Sequence, residues 1–466
     1  MLPSLRGSIS SPWDSCQYRR LHRKQFHFLG GPILSTKHKG VTLLVWLAVL
    51  LASAEFAIRG PFHASSAYVN DFAAPYVSSR LWLRHQNPYP MESFFFNWYQ
   101  AGAPAKEVYA SPSSIHPVYP PPTLLAVVPF ALLSWPLASK ALIAVSALLY
   151  LAALFRLSSF VPGSWRDAAK PFFLSFGLAL APVHSALHVT NVACLAGSLI
   201  FLAVASLLEQ TAPEKRAQFI PAMLIAFSAC LKPTLGLLIL PYLLWERAWR
   251  TLAATLGALA ILVSISVFPL LSLGPEWRTD LANNITFVFT NGTADLSVQN
   301  HSRFDRIDLQ LPIYTVIPNR TAAALFAALA SSCLLLLWFR VGRPALRASF
   351  DDRLLRVSAV LLIGLLPFYQ RFYSAMFVLL PALWAFRNFF HTQLRGWARW
   401  TLALCCLYFV NTKVLEQDSG VFLAIGRHLP FLANTILEPH LCWLLLLLIV
   451  TLLLNLRWSG ADASAT

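Results

Sequence analysis

From Val41 onward the sequence alternates long apolar runs with short polar links, and most runs are close to the roughly twenty residues that a helix needs to cross a bilayer. The first extends from Val41 to Ile58. Others are predicted near 171–188, 189–208, 218–231, 233–246, 251–273, 321–340, 355–369, 371–387, 399–413 and 436–456. In 119–156, Pro120, Pro121, Pro122, Pro129 and Pro136 interrupt any single straight helix. This predicts a short proline-broken segment leading into a span around 138–156. The alternative is two crossings there, with 218–245 as one long kinked span. Either arrangement gives an all-α, polytopic membrane protein of about twelve helices. No repeat of fixed period interrupts the pattern, and 457–466 is a short polar tail.

Composition agrees. The chain is 57% hydrophobic and 12% charged with a mean hydropathy of +0.59, against roughly a quarter charged in soluble proteins. Six of the seven cysteines lie inside apolar runs at no regular spacing, which excludes a disulfide scaffold and argues against zinc. A net charge of +16 would fit nucleic-acid binding if it formed a patch. Its placement points elsewhere. Arg6, Arg19, Arg20, Arg23, Lys24, Lys37 and Lys39 crowd residues 1–40, just ahead of the first span, and Arg340, Arg343, Arg347, Arg353, Arg356, Arg387, Arg395 and Arg399 flank two later links. Basic links lie on the cytoplasmic side, so both termini are predicted to be cytoplasmic in a cell membrane, with the basic residues meeting anionic lipid. Residues 1–40 are too long and polar for a cleaved signal peptide.

Two stretches on the predicted outer side, 60–118 and 274–320, are too long for connectors. The first is rich in aromatics, which favour the membrane interface, and Asp71–Arg84 spaces Phe72, Tyr76, Leu81 and Leu83 like a short helix lying on the bilayer.

The soluble nucleotide and hydrolase motifs are missing. What remains is a set of polar groups at the outer ends of the spans, where ionisable residues are costly. Asp71 is placed either to take a proton from a hydroxyl at the membrane surface or to cap a helix. Lys232, followed by the helix-breaking Pro233, is either a phosphate ligand or a snorkelling lysine. His184, His188 and Asn191 fit polar capping of a hairpin better than a zinc site. The second stretch carries Asp295, Gln299, Asn300, His301, Ser302, Arg303, Asp305, Arg306 and Asp308, which suits phosphate and sugar hydroxyls or a solvated surface. It also holds sequons at Asn284, Asn291, Asn300 and Asn319, which matter only in a eukaryotic lumen. Arg371, in Pro367–Tyr373, is either an anion ligand or a charged turn.

These points line up with a family pattern. Asp71-Phe72 followed by Asn87-Pro88-Tyr89 resembles the first-loop signature of the polyprenol-phosphate-mannose-dependent mannosyltransferases, glycosyltransferase family 87 of the GT-C superfamily. Tyr119-Pro120-Pro121-Pro122, Leu231-Lys232-Pro233, Asn300-His301-Ser302 and Arg371-Phe372-Tyr373 resemble later motifs in the same order, over about 41–390. His188-Val189-Thr190-Asn191 keeps the Asn of a Gly-Gln-x-Asn motif and loses its Gly and Gln, and Gln370 stands where a His is common; both changes bear on donor-sugar identity.

The resemblance implies a GT-C membrane domain over 41–456 that transfers a hexose, most simply mannose, from a polyprenyl-phosphate sugar to a hydroxyl of a glycolipid or polysaccharide at the outer face, with inversion. Asp71 would be the general base. Lys232, Arg371 and Arg303 would hold the departing phosphate, with Asn300, His301, Asn191, His188, Tyr89 and Tyr373 as further substrate contacts. No metal or cofactor is called for. From another class, a transporter or flippase for a lipid-linked or anionic substrate would share the broken helices and intramembrane cations.

Overall fold

The computed structural model describes residues 39–63, 70–110, 115–163, 168–209, 218–341, 348–389, 394–409 and 420–461. Most of the predicted basic tail, Arg343 and Arg347, and the end of the C-terminal tail lie outside them. Among the described residues the chain is helical, and its one extended pairing is an antiparallel bridge between Arg306 and Arg371.

The main helices are α1 (Lys39–Ala57), α2 (Ala73–Leu83), α3 (Met91–Gln100), α4 (Pro121–Ala131), α5 (Trp135–Ser158), α6 (Ala169–Leu178), α7 (Ala181–His188), α8 (Val192–Glu209), α9 (Phe219–Leu231), α10 (Trp249–Leu271), α11 (Glu276–Thr290), α12 (Gln310–Val316), α13 (Arg320–Arg340), α14 (Phe350–Leu365), α15 (Leu379–Asn388), α16 (Arg395–Cys406) and α17 (His440–Ala461). Among the described residues six segments are long and apolar enough to cross a membrane: Thr42–Phe62, Trp135–Ser158, Ala169–His188, Val192–Glu209, Trp249–Leu271 and Arg320–Arg340. A seventh is Pro430–Leu437 with His440–Leu456, if that pair, bent by 48°, counts as one span.

The other predicted crossings coincide with helices that are shorter or broken, so the count of about twelve exceeds what length and composition support. The physical reason is visible at each break. Pro120 precedes the eleven-residue α4. Pro233 ends α9. The segment preceding α15, Phe372–Val378, is wound as a 3-10 helix. Hydropathy along the sequence registers the apolar run and not where its hydrogen-bond ladder stops. One of these helices is an inner one: α14, started by a capping box in which Ser349 and Asp352 exchange bonds, is buried along nearly its whole length. The lipid-facing spans are α10 and α13, of whose apolar windows only 17% and 22% are buried.

The region 119–156 contains one long span, α5, preceded by α4, as the first reading of the prolines has it. Accordingly 218–245 is a hairpin and not one kinked span. At Lys232 the backbone turns extended (φ −151, ψ 92), and the next turn, Pro233–Gly236, folds back on α9. A Cβ on Gly236 would stand 2.2 Å from the Ala229 nitrogen, so only glycine permits this return.

The two long outer stretches are folded. The first contains α2, α3 and the short helix Ala105–Ala110, and the second α11, a 3-10 turn His301–Asp305 and α12. The predicted interfacial helix exists as α2, but Phe72, Ala73, Tyr76, Val77, Ser78, Ser79 and Leu81 are all buried. It packs on α4 inside the protein and does not float on the bilayer by one apolar face.

Three arginines of the positive-inside pattern have become bolts at one end of the bundle. Arg353 pairs with Glu246 at 2.7 Å and donates to the Leu207 carbonyl at 2.7 Å. Arg387 pairs with Asp351 at 2.7 Å and reaches the Phe160 carbonyl. Arg356, buried, donates to the Trp338 carbonyl at 3.1 Å and lies 4.1 Å over the Trp245 ring. They tie together the ends of α5, α8, α13 and the hairpin, which puts the opposite ends of those helices on the other face.

Candidate active site

Asp71 sits on that other face. It does not cap α2: the N-cap position is Phe72, with no side-chain bond, and the turn before it is closed by Asn70 Oδ1, which accepts from Phe72 N at 3.1 Å. The Asp71 carboxylate instead accepts from Asn191 Nδ2 at 2.7 Å, while its backbone N–H donates to the Val189 carbonyl at 3.0 Å. Asn191 has no freedom to turn. Its Oδ1 accepts from Ala193 N at 2.8 Å at the start of α8, so its NH₂ must face Asp71. The turn that places it requires Thr190 at φ +50, a strained setting for a β-branched residue. Asn191 is thus a positioning residue for Asp71. Asn191→Ala is expected to lower kcat about tenfold with little change in KM, because the carboxylate loses its orientation and not its charge; steady-state kinetics check this.

Hydrogen bonds between helices fix what surrounds Asp71. Ser79 on α2 donates to the Leu124 carbonyl of α4 at 2.9 Å, and Thr123 of α4 donates to the Cys230 carbonyl of α9 at 2.7 Å. The chain leading into α2 carries Asp71, that leading into α4 carries Tyr119, and the C-terminal end of α9 carries Lys232. These two bonds therefore hold the three together. Lys232 Nζ lies 4.2 Å from the centre of the Tyr373 ring, a cation–π contact, with no carboxylate partner among the described residues. Arg371 Nη2 pairs with Asp305 at 2.8 Å. The negative charge of Asp71 acts on Lys232, Arg371, Tyr119, Tyr369 and Tyr373 alike. Asp71 itself makes no ion pair among the described residues. Burial, with Asp71 adding to it, raises the Tyr119 hydroxyl above its ordinary range. Burial also raises that of Tyr369, against the opposing pull of Arg371. Both phenols therefore stay protonated, and that of Tyr369 donates to the Thr293 carbonyl at 3.5 Å.

The segment that bears Arg371 and Tyr373 is held to the second outer stretch. Ile307 N donates to the Gln370 carbonyl at 3.0 Å, and Gln370 N donates to Asp308 Oδ2 at 3.2 Å. Gln370 Nε2 reaches the Thr234 carbonyl at 3.2 Å, two residues from Lys232. Asp308 in turn receives Arg306 through Nε at 3.0 Å and Nη2 at 2.8 Å, both side chains fully buried.

Of the residues singled out in the sequence, Asp71, Asn191, Lys232, Arg371 and Tyr373 come together, and others do not. Arg303 is corrected from phosphate ligand to structural residue: it is buried against Glu438 and donates to the Leu296 carbonyl at 2.9 Å. Asn300 caps the 3-10 turn through Ser302 N at 3.0 Å and closes the loop onto the Asp295 carbonyl at 2.7 Å, so its amide is committed. His301 opens that turn. Tyr89 is buried with its hydroxyl on the Tyr119 carbonyl at 3.1 Å, which makes it a support for Tyr119. His188 stacks on His63 at 4.7 Å, whereas His184 Nε2 is 2.7 Å from the Leu178 carbonyl, so the two rings serve different neighbours. Among the described residues no three His, Cys, Asp or Glu side chains gather as a metal site would require. The sequon residue Asn284 is buried with its amide on the Tyr89 and Pro117 carbonyls, out of reach of modification.

Sequence reasoning did not rank Tyr119, Tyr369, Gln370 and Asp308 as site residues. The available signal was their position, since Tyr119, Tyr369 and Gln370 each stand at a proline-marked break between apolar runs.

The family model for glycosyltransferase family 87 matches residues 118–368. The match takes in Tyr119, Asn191, Lys232 and Asp308; Arg371 lies just past its end, and Asp71 lies well before its start. No curated protein and no solved structure matches the chain.

Proposed function

Since the chain belongs to glycosyltransferase family 87 and is a membrane glycosyltransferase, we propose that it transfers a hexose, mannose in the simplest case, from a polyprenyl-phosphate donor to an acceptor hydroxyl, with inversion. Family membership replaces the transporter alternative. The observation that carries the reading is a carboxylate aimed by an immobilised amide, with no ion pair of its own, beside two cations. Asp71 takes the proton of the acceptor hydroxyl as its oxygen bonds to the anomeric carbon. On the opposite side of that carbon the bond to the phosphate oxygen breaks, and the phosphate leaves with the bonding pair. Lys232 and Arg371 stabilise the charge that appears there. Lys232 is the better placed, since it rests on an aromatic face and gives up no carboxylate to bind phosphate; Arg371 shares its guanidinium with Asp305. Tyr119 supplies a protonated hydroxyl to the sugar or phosphate. By the positive-inside rule this face is the outer one, with glycolipid or polysaccharide termini as acceptors and the cell membrane as location.

The test is purified protein in lipid nanodiscs, given mannosyl phosphate on a polyprenol or a nucleotide-linked mannose, with a panel of glycolipid and polysaccharide acceptors. Transfer from the lipid donor alone, with inverted anomeric configuration in the product, is expected. Transfer from the nucleotide sugar, or retention of configuration, overturns the proposal.

A further inference from the structure

Between Arg303 and Asp308 the second outer stretch enters three arginine–carboxylate pairs among the described residues, and they differ in exposure. Arg303 with Glu438 and Arg306 with Asp308 are sealed inside the protein, their side chains no more than 1% exposed. Asp305 with Arg371 is open. Its two side chains are 27% and 18% exposed, and Asp305 Oδ2 accepts from Arg371 Nη2 at 2.8 Å. The sealed pairs, with the bond from Ile307 N to the Gln370 carbonyl, already fasten this strip of chain, so the third pair is not needed to hold it. Resting on the donor reading above, we propose that Asp305 is a release device: acting through Arg371, its fixed negative charge keeps the site from retaining the phosphate product after transfer.

Counting charges gives the reason. Asp71 acts on Lys232 and on Arg371, Arg371 acts on Lys232, and Asp305 acts on Arg371. Two of these groups are cations and two are carboxylates, so the site they form is neutral before the donor binds. Tyr369, which also faces Arg371, is a protonated phenol and adds no charge. The donor is a phosphodiester with one negative charge, whereas the product is a phosphomonoester carrying about 1.5 to 2. During transfer the balance holds. The acceptor's proton moves to Asp71 while the bonding pair leaves with the phosphate, so the protein gains one positive unit as the phosphate gains one negative unit. Once Asp71 passes that proton to water, a near-dianion faces a site with no net charge, and the carboxylate beside Arg371 repels it. With only Asp71 opposite the two cations the same site would be positive and would hold the product. Arg371 can serve both partners, since Nη2 alone is engaged with Asp305 and its guanidinium makes no other hydrogen bond among the described residues. Asp305 likewise pairs with no second cation among them.

The test uses purified full-length protein in nanodiscs, with polyprenyl phosphate as ligand and its monomethyl ester as the monoanionic counterpart. In the unsubstituted protein the two should bind alike, because a neutral site gains nothing from the second charge. Asp305→Asn keeps an oxygen for Arg371 Nη2 and removes the charge. It is expected to tighten polyprenyl phosphate about tenfold and the methyl ester about threefold, since Coulomb attraction scales with the charge of the ligand. Turnover should fall and begin with a burst, while the single-turnover rate is no slower, because release and not chemistry has been impeded. Asp305→Glu keeps the charge and should behave like the unsubstituted enzyme. A purely structural part for Asp305 predicts the reverse: with Arg371 displaced, both ligands bind more weakly and the single-turnover rate drops. That result, or unchanged binding in Asp305→Asn, overturns the proposal. So does an unsubstituted protein that binds the dianion tenfold more tightly than the ester, a comparison that needs no variant to fold. In each case transfer from the lipid donor by the unsubstituted enzyme leaves the donor reading standing. If the unsubstituted enzyme transfers from no lipid-phosphate sugar, the donor reading fails instead.

Discussion

Asp71→Asn is expected to reduce kcat by roughly 10²–10⁴-fold, the range for removing a positioned general base. The change is nearly isosteric. Asn191 Nδ2 still finds an oxygen to donate to, and the backbone bond from residue 71 to the Val189 carbonyl is untouched. Folding and donor KM should therefore stay close to those of the unsubstituted protein, so that the loss falls on the chemical step. Thermal unfolding and single-turnover kinetics on the same preparation separate the two. Wild-type turnover by this variant would remove Asp71 from the mechanism.

The second large effect is structural. Asp308→Ala leaves the fully buried Arg306 guanidinium with the Ala294 carbonyl and the face of the Tyr369 ring but no counter-charge, and removes the acceptor of the Gln370 N–H. Breaking a buried pair by deleting one partner costs about 3–5 kcal/mol, enough to lower the melting temperature by several degrees. The damage has a direction. Gln370 is the link between the second outer stretch and Thr234, so Arg371 and Tyr373 lose their anchorage and activity should fall together with stability. The double variant Arg306→Met, Asp308→Leu replaces the pair with apolar groups and should recover much of the melting temperature. Activity need not return with it, because the Gln370 N–H still lacks its acceptor. A single Asp308→Ala variant with unaltered melting would refute the role given to the pair.

The parts of this arrangement that were legible in the sequence are those encoded locally. An apolar run announces a helix, and Lys232-Pro233 announces a break with a cation at it; both are where the sequence places them. Asp71 reads as a base or as a helix cap, and only its place in the family's motif order singles it out. Pairings between distant residues had no local signature. Arg303 looks in the sequence like Arg371, an arginine among polar neighbours, and only the approach of Glu438, 135 residues away, converts it into a buried strut. Likewise Asn87-Pro88-Tyr89 reads as a binding motif, yet its Asn ties to Asp280 at 2.7 Å and its Tyr props up Tyr119. The span count is not legible for a related reason: hydropathy accumulates across breaks, so short helices and full spans give the same signal.

The antiparallel bridge between Arg306 and Arg371 joins two strips of chain that leave the ribosome at different times. N-terminal parts of a chain settle first during synthesis. A nascent protein that has inserted as far as α9 already holds Asp71 against Asn191 and, on α9, Lys232, the base and one of its cations. It lacks the arginine and the tyrosine under the lysine. Nearly four-fifths of the chain must be in the membrane before the reacting groups are assembled, so an incomplete product carries a proton acceptor with no finished seat for the sugar phosphate it would act upon.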